Sequence, residues 1–130
     1  MNVMKFGGSS LVDTEALRRV ADIVVSRARV PLVVVVSAMG ETTDQLVRIA
    51  DAAVSGHCNN AIERMEELEK YHQTARQMIV GPDACSGFDA VLKAHFGDLR
   101  KMIVELATFG ELTPQLSDAV TSFGERLSSY

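Results

Sequence analysis

The chain has 130 residues, with 13 lysines and arginines against 17 aspartates and glutamates, a formal net charge of −4. Hydrophobic residues at 47% and charged residues at 23% fit an ordinary globular domain, and the mild acidic excess excludes the broad basic footprint of a nucleic-acid-binding surface. No apolar run approaches the roughly 18 residues that span a bilayer, so no membrane partner is expected.

Asn2-Val3-Met4-Lys5-Phe6 is a short apolar run ended by Gly7-Gly8, which predicts a strand. Ser9, Ser10 or Asp13 can cap a helix from about Thr14 to Ala28, whose apolar positions Leu17, Val20, Val24 and Ala28 recur at helical spacing. Pro31 breaks that pattern. Leu32 to Val36 is an apolar run of a leucine and four valines, the signature of a parallel strand buried on both faces. Strand, helix and strand make a βαβ unit over residues 1–40, with a right-handed crossover.

Residues 41–130 read as helix throughout. Thr42 or Thr43 caps a helix carrying Leu46, Ile49, Ala50, Ala53 and Val54, ended by Ser55-Gly56. A longer helix follows with Ala61, Met65, Leu68, His72, Ala75 and Ile79 on one seam, stopped by Gly81-Pro82. The next begins at Ser86 or Asp89, runs along Phe88, Val91, Leu92, Leu99, Met102, Ile103 and Leu106, and closes at Gly110. Thr113-Pro114 is a cap followed by proline at the first helical position, opening a last stripe of Leu116, Val120, Phe123 and Leu127. Two parallel strands cannot cover themselves, so the pattern predicts the first part of a larger α/β domain.

Three segments carry candidate chemistry. Lys5-Phe6-Gly7-Gly8-Ser9-Ser10 stands where a strand hands over to a helix. Paired glycines admit close backbone approach and conformations closed to other residues, helix-start N–H groups favour an anion, and Lys5 adds a cation. It matches neither GxxxxGK[ST] nor GxGxxG, and the plain alternative is a tight turn with a solvated lysine. Ser37-Ala38-Met39-Gly40-Glu41-Thr42-Thr43-Asp44 lies at the carboxyl end of the second strand, where open parallel sheets bind ligands, and with the first segment makes a two-sided anion cradle. N-capping alone also accounts for Thr42, Thr43 and Asp44. The third segment is Ser122-Phe123-Gly124-Glu125-Arg126-Leu127-Ser128. Glu125 lies opposite the apolar stripe, as any solvent-facing residue does. Gly124 inside a helix costs about 1 kcal/mol relative to alanine, which suggests that something approaches closely there.

Other groups carry less. His57, His72 and His95 have no metal-ligand spacing, so no metal site is expected, and His72 on an apolar seam reads as a satisfied core histidine. Glu63, Glu66, Glu67 and Glu69 read as a solvated face, with Glu66 and Lys70 as an i,i+4 pair. Cys58 and Cys85 are too few for a disulfide framework and read as small apolar residues. The N-terminus lacks signal-peptide chemistry, so a reduced, cytoplasmic protein is expected.

Together the three segments resemble the aspartate kinases of the amino acid kinase family. Lys5-Phe6-Gly7-Gly8-Ser9-Ser10 is similar to the family's KFGG[TS]S opening. Val34 to Gly40 with Thr42-Thr43-Asp44 is similar to its second strand and following turn, and Phe123-Gly124-Glu125-Arg126-Leu127-Ser128 to its GE-x-[LM]-S helix. The resemblance implies an α/β fold, a three-layer αβα parallel sheet of which residues 1–130 are the N-terminal portion with a helical second half. It implies ATP-dependent phosphorylation of the β-carboxylate of L-aspartate, with Mg2+, as the first step toward lysine, threonine and methionine. Lys5 then neutralises the transferring phosphoryl group, the segment Lys5, Phe6, Gly7, Gly8 and Ser9 holds phosphate, Ser37 lines the cleft, Thr43 (or Thr42) contacts aspartate, and Glu125 binds its ammonium group. The family's nucleotide-binding half and ACT regulatory domains are expected beyond this chain. The chain alone is expected to be inactive, and the full-length enzyme a homo-oligomer. A glutamate or acetylglutamate kinase, or a non-catalytic anion-binding or helical interaction module, remains as an alternative.

Overall fold

The computed structural model describes residues 1–81 and 86–130. Strand β1 (Asn2–Phe6) leads through a single 3-10 turn (Gly8–Ser10) into helix α1 (Thr14–Arg27), and strand β2 (Leu32–Val36) follows. The remainder is helical: α2 (Thr42–Val54), α3 (Cys58–Val80), α4 (Ser86–Phe109), α5 (Pro114–Thr121) and α6 (Phe123–Ser128). β1 and β2 pair in parallel, with Asn2 opposite Leu32 and Phe6 opposite Val36, as a βαβ unit requires.

The caps follow from local chemistry. Among the three capping candidates for α1, the Asp13 carboxylate takes the role, accepting from the Ala16 N–H at 2.7 Å. Thr113 caps α5 with Pro114 at its first position, its hydroxyl accepting from the Leu116 N–H at 3.3 Å. Gly81 ends α3 with a φ of 82°, a left-handed conformation that glycine adopts without strain. Pro82 and Cys85 lie outside the described residues.

The core belongs to the helices. Leu46 and Ile49 of α2, Met65 and Leu68 of α3, Phe96, Leu99 and Ile103 of α4, Val120 of α5, and Phe123 and Leu127 of α6 form one buried cluster. Each large apolar side chain buried there contributes about 1.5–3 kcal/mol. The rings of Phe96 and Phe123 meet edge-on with centroids 5.5 Å apart, locking α6 to α4.

Five expectations are corrected. β2 is not buried on both faces: Val33, Val34 and Val35 are 36–44% exposed, because the helices close their core on one another and not on the sheet. The last stripe is two helices, with the break at Ser122. Neither Thr42 nor Thr43 caps α2; Glu41 occupies the cap position without a side-chain bond. Glu66 pairs with Arg100 of the facing helix α4, since a cross-helix partner lies nearer than the i,i+4 one. His72 is buried and bonded only at Nδ1, to the Leu68 carbonyl at 2.9 Å, while Nε2 has no partner among the described residues.

Candidate functional site

Two backbone hydrogen bonds join the loops at the carboxyl ends of the strands. The Ser37 N–H donates to the Phe6 carbonyl at 3.1 Å, and the Gly40 N–H to the Leu11 carbonyl at 2.8 Å. The first and second segments are therefore neighbours, as parallel pairing dictates. The third joins them through Gly124. A Cβ there would lie 2.8 Å from the Ala38 Cβ and 3.0 Å from the Thr42 Cγ2, so α6 rests on the loop with no room for a methyl group. Residues near positions 6, 40 and 124 thus converge on one end of the sheet.

The glycine pair differs from its expectation. Gly7 has a φ of −79° and ψ of 177°, extended backbone that any residue adopts, and Gly8 has no positive φ. A Cβ on either would meet nothing within 4 Å. The fold itself makes no demand for glycine there. What bare α-carbons provide is open ground beside the N–H groups of Gly7, Gly8 and Ser9, which have no acceptor among the described residues. Ser10 and Leu11, by contrast, spend theirs on the carbonyls of Gly7 and Gly8.

The two-sided cradle is also corrected. Asp13 closes the α1 N-terminus with a carboxylate, so that helix offers no anion site. The α2 N-terminus stays open: it has no side-chain cap, and the N–H groups of Thr43 and Asp44 have no acceptor among the described residues.

The two threonines separate cleanly. Thr42 is 1% exposed, donates its hydroxyl to the Met39 carbonyl at 2.5 Å and packs against Gly124. Thr43 is half-buried, and its hydroxyl has no partner among the described residues. The side chains of Lys5, Ser37 and Glu125 are likewise uncommitted, with no ion pair or side-chain hydrogen bond among the described residues. Lys5 and Glu125 are exposed, Phe6 and Ser37 half-buried and Ser9 exposed. A cation, a carboxylate, and hydroxyl and N–H donors, all uncommitted on these neighbouring segments, are the groups that a ligand carrying both an ammonium group and anionic oxygens would need.

Sequence patterning missed Tyr71. It stands on α3 behind the second loop, where its hydroxyl would touch any Cβ on Gly40 at 2.8 Å; Gly40 itself has a φ of 55°. Burial, then the carboxylates of Asp13 and Glu41, push the Tyr71 phenol above its usual range. Nothing in its spacing marks it, since it lies beside the helical seam and not on it. A cleft of about 330 Å³ opens there between Glu41 and Gln45 of the α2 start and Arg64 and Glu67 of α3. Among the described residues no three of His, Cys, Asp or Glu stand close enough together to form a metal-binding cluster.

The chain is similar to known proteins in both sequence and structure. A sequence profile of the amino acid kinase family matches residues 1–130. The chain is 34% identical over 130 residues to the chloroplastic aspartokinase 1 of Arabidopsis thaliana, spanning 98% of this chain and 22% of that protein. It is 54% identical over 50 residues to the aspartokinase of Mycolicibacterium smegmatis, 37% of this chain and 12% of that one. In structure it is similar to E. coli aspartokinase III in complex with aspartate and ADP, with a TM-score of 0.78 and 27% identity over 99% of this chain and 27% of that chain. The same enzyme in complex with lysine and aspartate gives a TM-score of 0.76.

Proposed function

The chain belongs to the amino acid kinase family, and from that premise we propose that it is the acceptor and phosphate portion of an aspartate kinase, which transfers the γ-phosphoryl group of ATP to the β-carboxylate of L-aspartate. The observation that carries the proposal is the convergence of uncommitted groups, Lys5, Gly7, Gly8, Ser37, Thr43 and Glu125, at one end of the sheet, held together by the Phe6–Ser37 bond and the Gly124 contact.

In this reading Glu125 binds the substrate's ammonium group, and Thr43 with the open α2 N-terminus receives anionic oxygens. Ser37 lines the cleft between them. A β-carboxylate oxygen attacks the γ-phosphorus, the bond to the β-phosphate oxygen breaks, and ADP leaves. No proton moves in that step, so no general base is needed. Lys5 and the N–H groups of Gly7, Gly8 and Ser9 neutralise the phosphoryl oxygens as charge develops, and Phe6 holds the turn against Ser37. Mg2+ bound together with ATP would supply further neutralisation of the phosphate charge.

The chain spans 22% of the length of its Arabidopsis relative, so turnover is proposed for a longer polypeptide that adds the nucleotide-binding half and regulatory domains, and not for residues 1–130 alone. A role at the start of lysine, threonine and methionine synthesis, a homo-oligomeric state and a cytoplasmic location are parts of the same proposal. No helix among the described residues is long and apolar enough to cross a membrane.

The test is hydroxylamine trapping of the acyl phosphate with a polypeptide that extends past Tyr130. Aspartyl hydroxamate should form, dependent on ATP. Product with glutamate or N-acetylglutamate in place of aspartate would replace the proposed acceptor, and no product with any of the three would reject the kinase reading.

A further inference from the structure

We infer that Gly124 is a positioning residue: its bare α-carbon seats α6 directly on Ala38 and Thr42, and so sets the separation between Glu125 on α6 and Thr43 on α2. The inference rests on the proposed roles of those two side chains and adds the residue that spaces them.

The contact has no slack. A Cβ at position 124 would come within 2.8 Å of the Ala38 Cβ and 3.0 Å of the Thr42 Cγ2, whereas carbon atoms rest at about 3.5–4.0 Å. Neither neighbour can turn aside. Alanine has no side-chain rotamer, so its methyl group moves only with the backbone. Thr42 is β-branched, 1% exposed, and fixed by its bond to the Met39 carbonyl. Helix α6 cannot back away either, because Phe123 and Leu127 on either side of Gly124 are anchored in the core. A methyl group at 124 must therefore shift α6 and the Ala38–Thr42 loop against each other.

The neighbours of the contact are the proposed substrate groups. Glu125 follows Gly124 and Thr43 follows Thr42, so displacement at the contact reaches both ends of the proposed aspartate site. Elsewhere in the helical core, α2 and α3 bury alanines, Ala50, Ala53 and Ala61. Glycine stands where even a methyl group does not fit.

Steady-state kinetics in the polypeptide that extends past Tyr130 test this. For Gly124→Ala the KM for aspartate should rise about tenfold, with kcat and the KM for ATP within about threefold of the parent. Ala38→Gly combined with Gly124→Ala removes the nearest obstacle and should restore the aspartate KM. An unchanged aspartate KM in Gly124→Ala, or a loss of all parameters together with thermal stability and no rescue, would overturn the inference. Should Gly124→Ala fail to fold, Ala38→Gly alone opens a gap at the same contact and should raise the aspartate KM by about threefold; no change there overturns it equally. Crystal structures of parent and variant give a readout independent of substrate. The Thr43–Glu125 separation should change by several tenths of an ångström, and an unaltered separation refutes the inference even if the acceptor proves not to be aspartate.

Discussion

Gly7 and Gly8 stand in open space at the end of β1, whereas Gly40 and Gly124 are hemmed in by Tyr71, Val12, Ala38 and Thr42. The four look alike in the sequence, each beside a strand end or in a helix that meets one. In the first pair the fold asks for nothing, and a side chain would meet only open space. In the second pair the fold itself excludes a side chain. Under the proposed function, the contrast separates a surface kept bare for a ligand from a joint that holds the ligand's other contacts in place.

The comparison is tested most severely at Lys5, which is exposed and without an ion pair among the described residues. Lys5→Met should lower kcat/KM in the hydroxamate assay by about 10²–10³-fold, as removal of a charge-stabilising group does elsewhere, with an unchanged melting temperature. A fall in stability equal to the fall in activity would place Lys5 in the fold and not in the site.

Gly8→Ala comes next. Its Cβ meets nothing within 4 Å, so stability should hold while activity drops about tenfold, read as kcat/KM beside a thermal melt. Full activity would mean that no ligand uses that open ground. Gly40→Ala should behave in the opposite sense. It places a Cβ at a φ of 55° and 2.8 Å from the Tyr71 hydroxyl, and should lose about 1–3 kcal/mol in denaturant unfolding. Adding Tyr71→Phe should return part of that loss.

The smallest effect lies in the core behind both regions. Burial holds His72 below its ordinary value of 6.5, opposed in part by its bond to the Leu68 carbonyl. Above that value folded and unfolded chains both carry a neutral imidazole, so its contribution is fully present there. As pH falls below it, the unfolded chain takes up a proton that the folded one refuses, and stability is lost. The melting temperature should therefore decline between about pH 7 and 5, and His72→Phe should flatten that slope. An identical slope in the variant would show that the ring titrates alike in both states.

Much of this was legible in local pattern. Strand ends, the Thr113-Pro114 cap and the glycine stops are set by residues within one turn of where they act. The break at Ser122 was not, because Leu116, Val120, Phe123 and Leu127 keep helical spacing across it, and periodicity does not register a change of axis. The Glu66–Arg100 pair was hidden because its two residues stand 34 apart in the chain, on different helices. Gly124 was partly visible: its low helix propensity signalled a close approach, but only folding names Ala38 and Thr42 as what approaches. The difference in burial between Thr42 and Thr43 was likewise hidden, because it depends on where α6 lands.

The exposed valines of β2 carry a consequence for the chain while it is being made. Leu32 to Val36 is uncharged, largely β-branched and wet, the composition of a strip that templates strand addition by another molecule. Because α2 to α6 close their core without it, completing the helices does not retire the hazard. Pro31, placed immediately before the strip, supplies no N–H to an incoming strand and acts as a gatekeeper on that end. Whatever covers this strip therefore does more than fill a core: it removes a template on which misassembly would otherwise compete with folding.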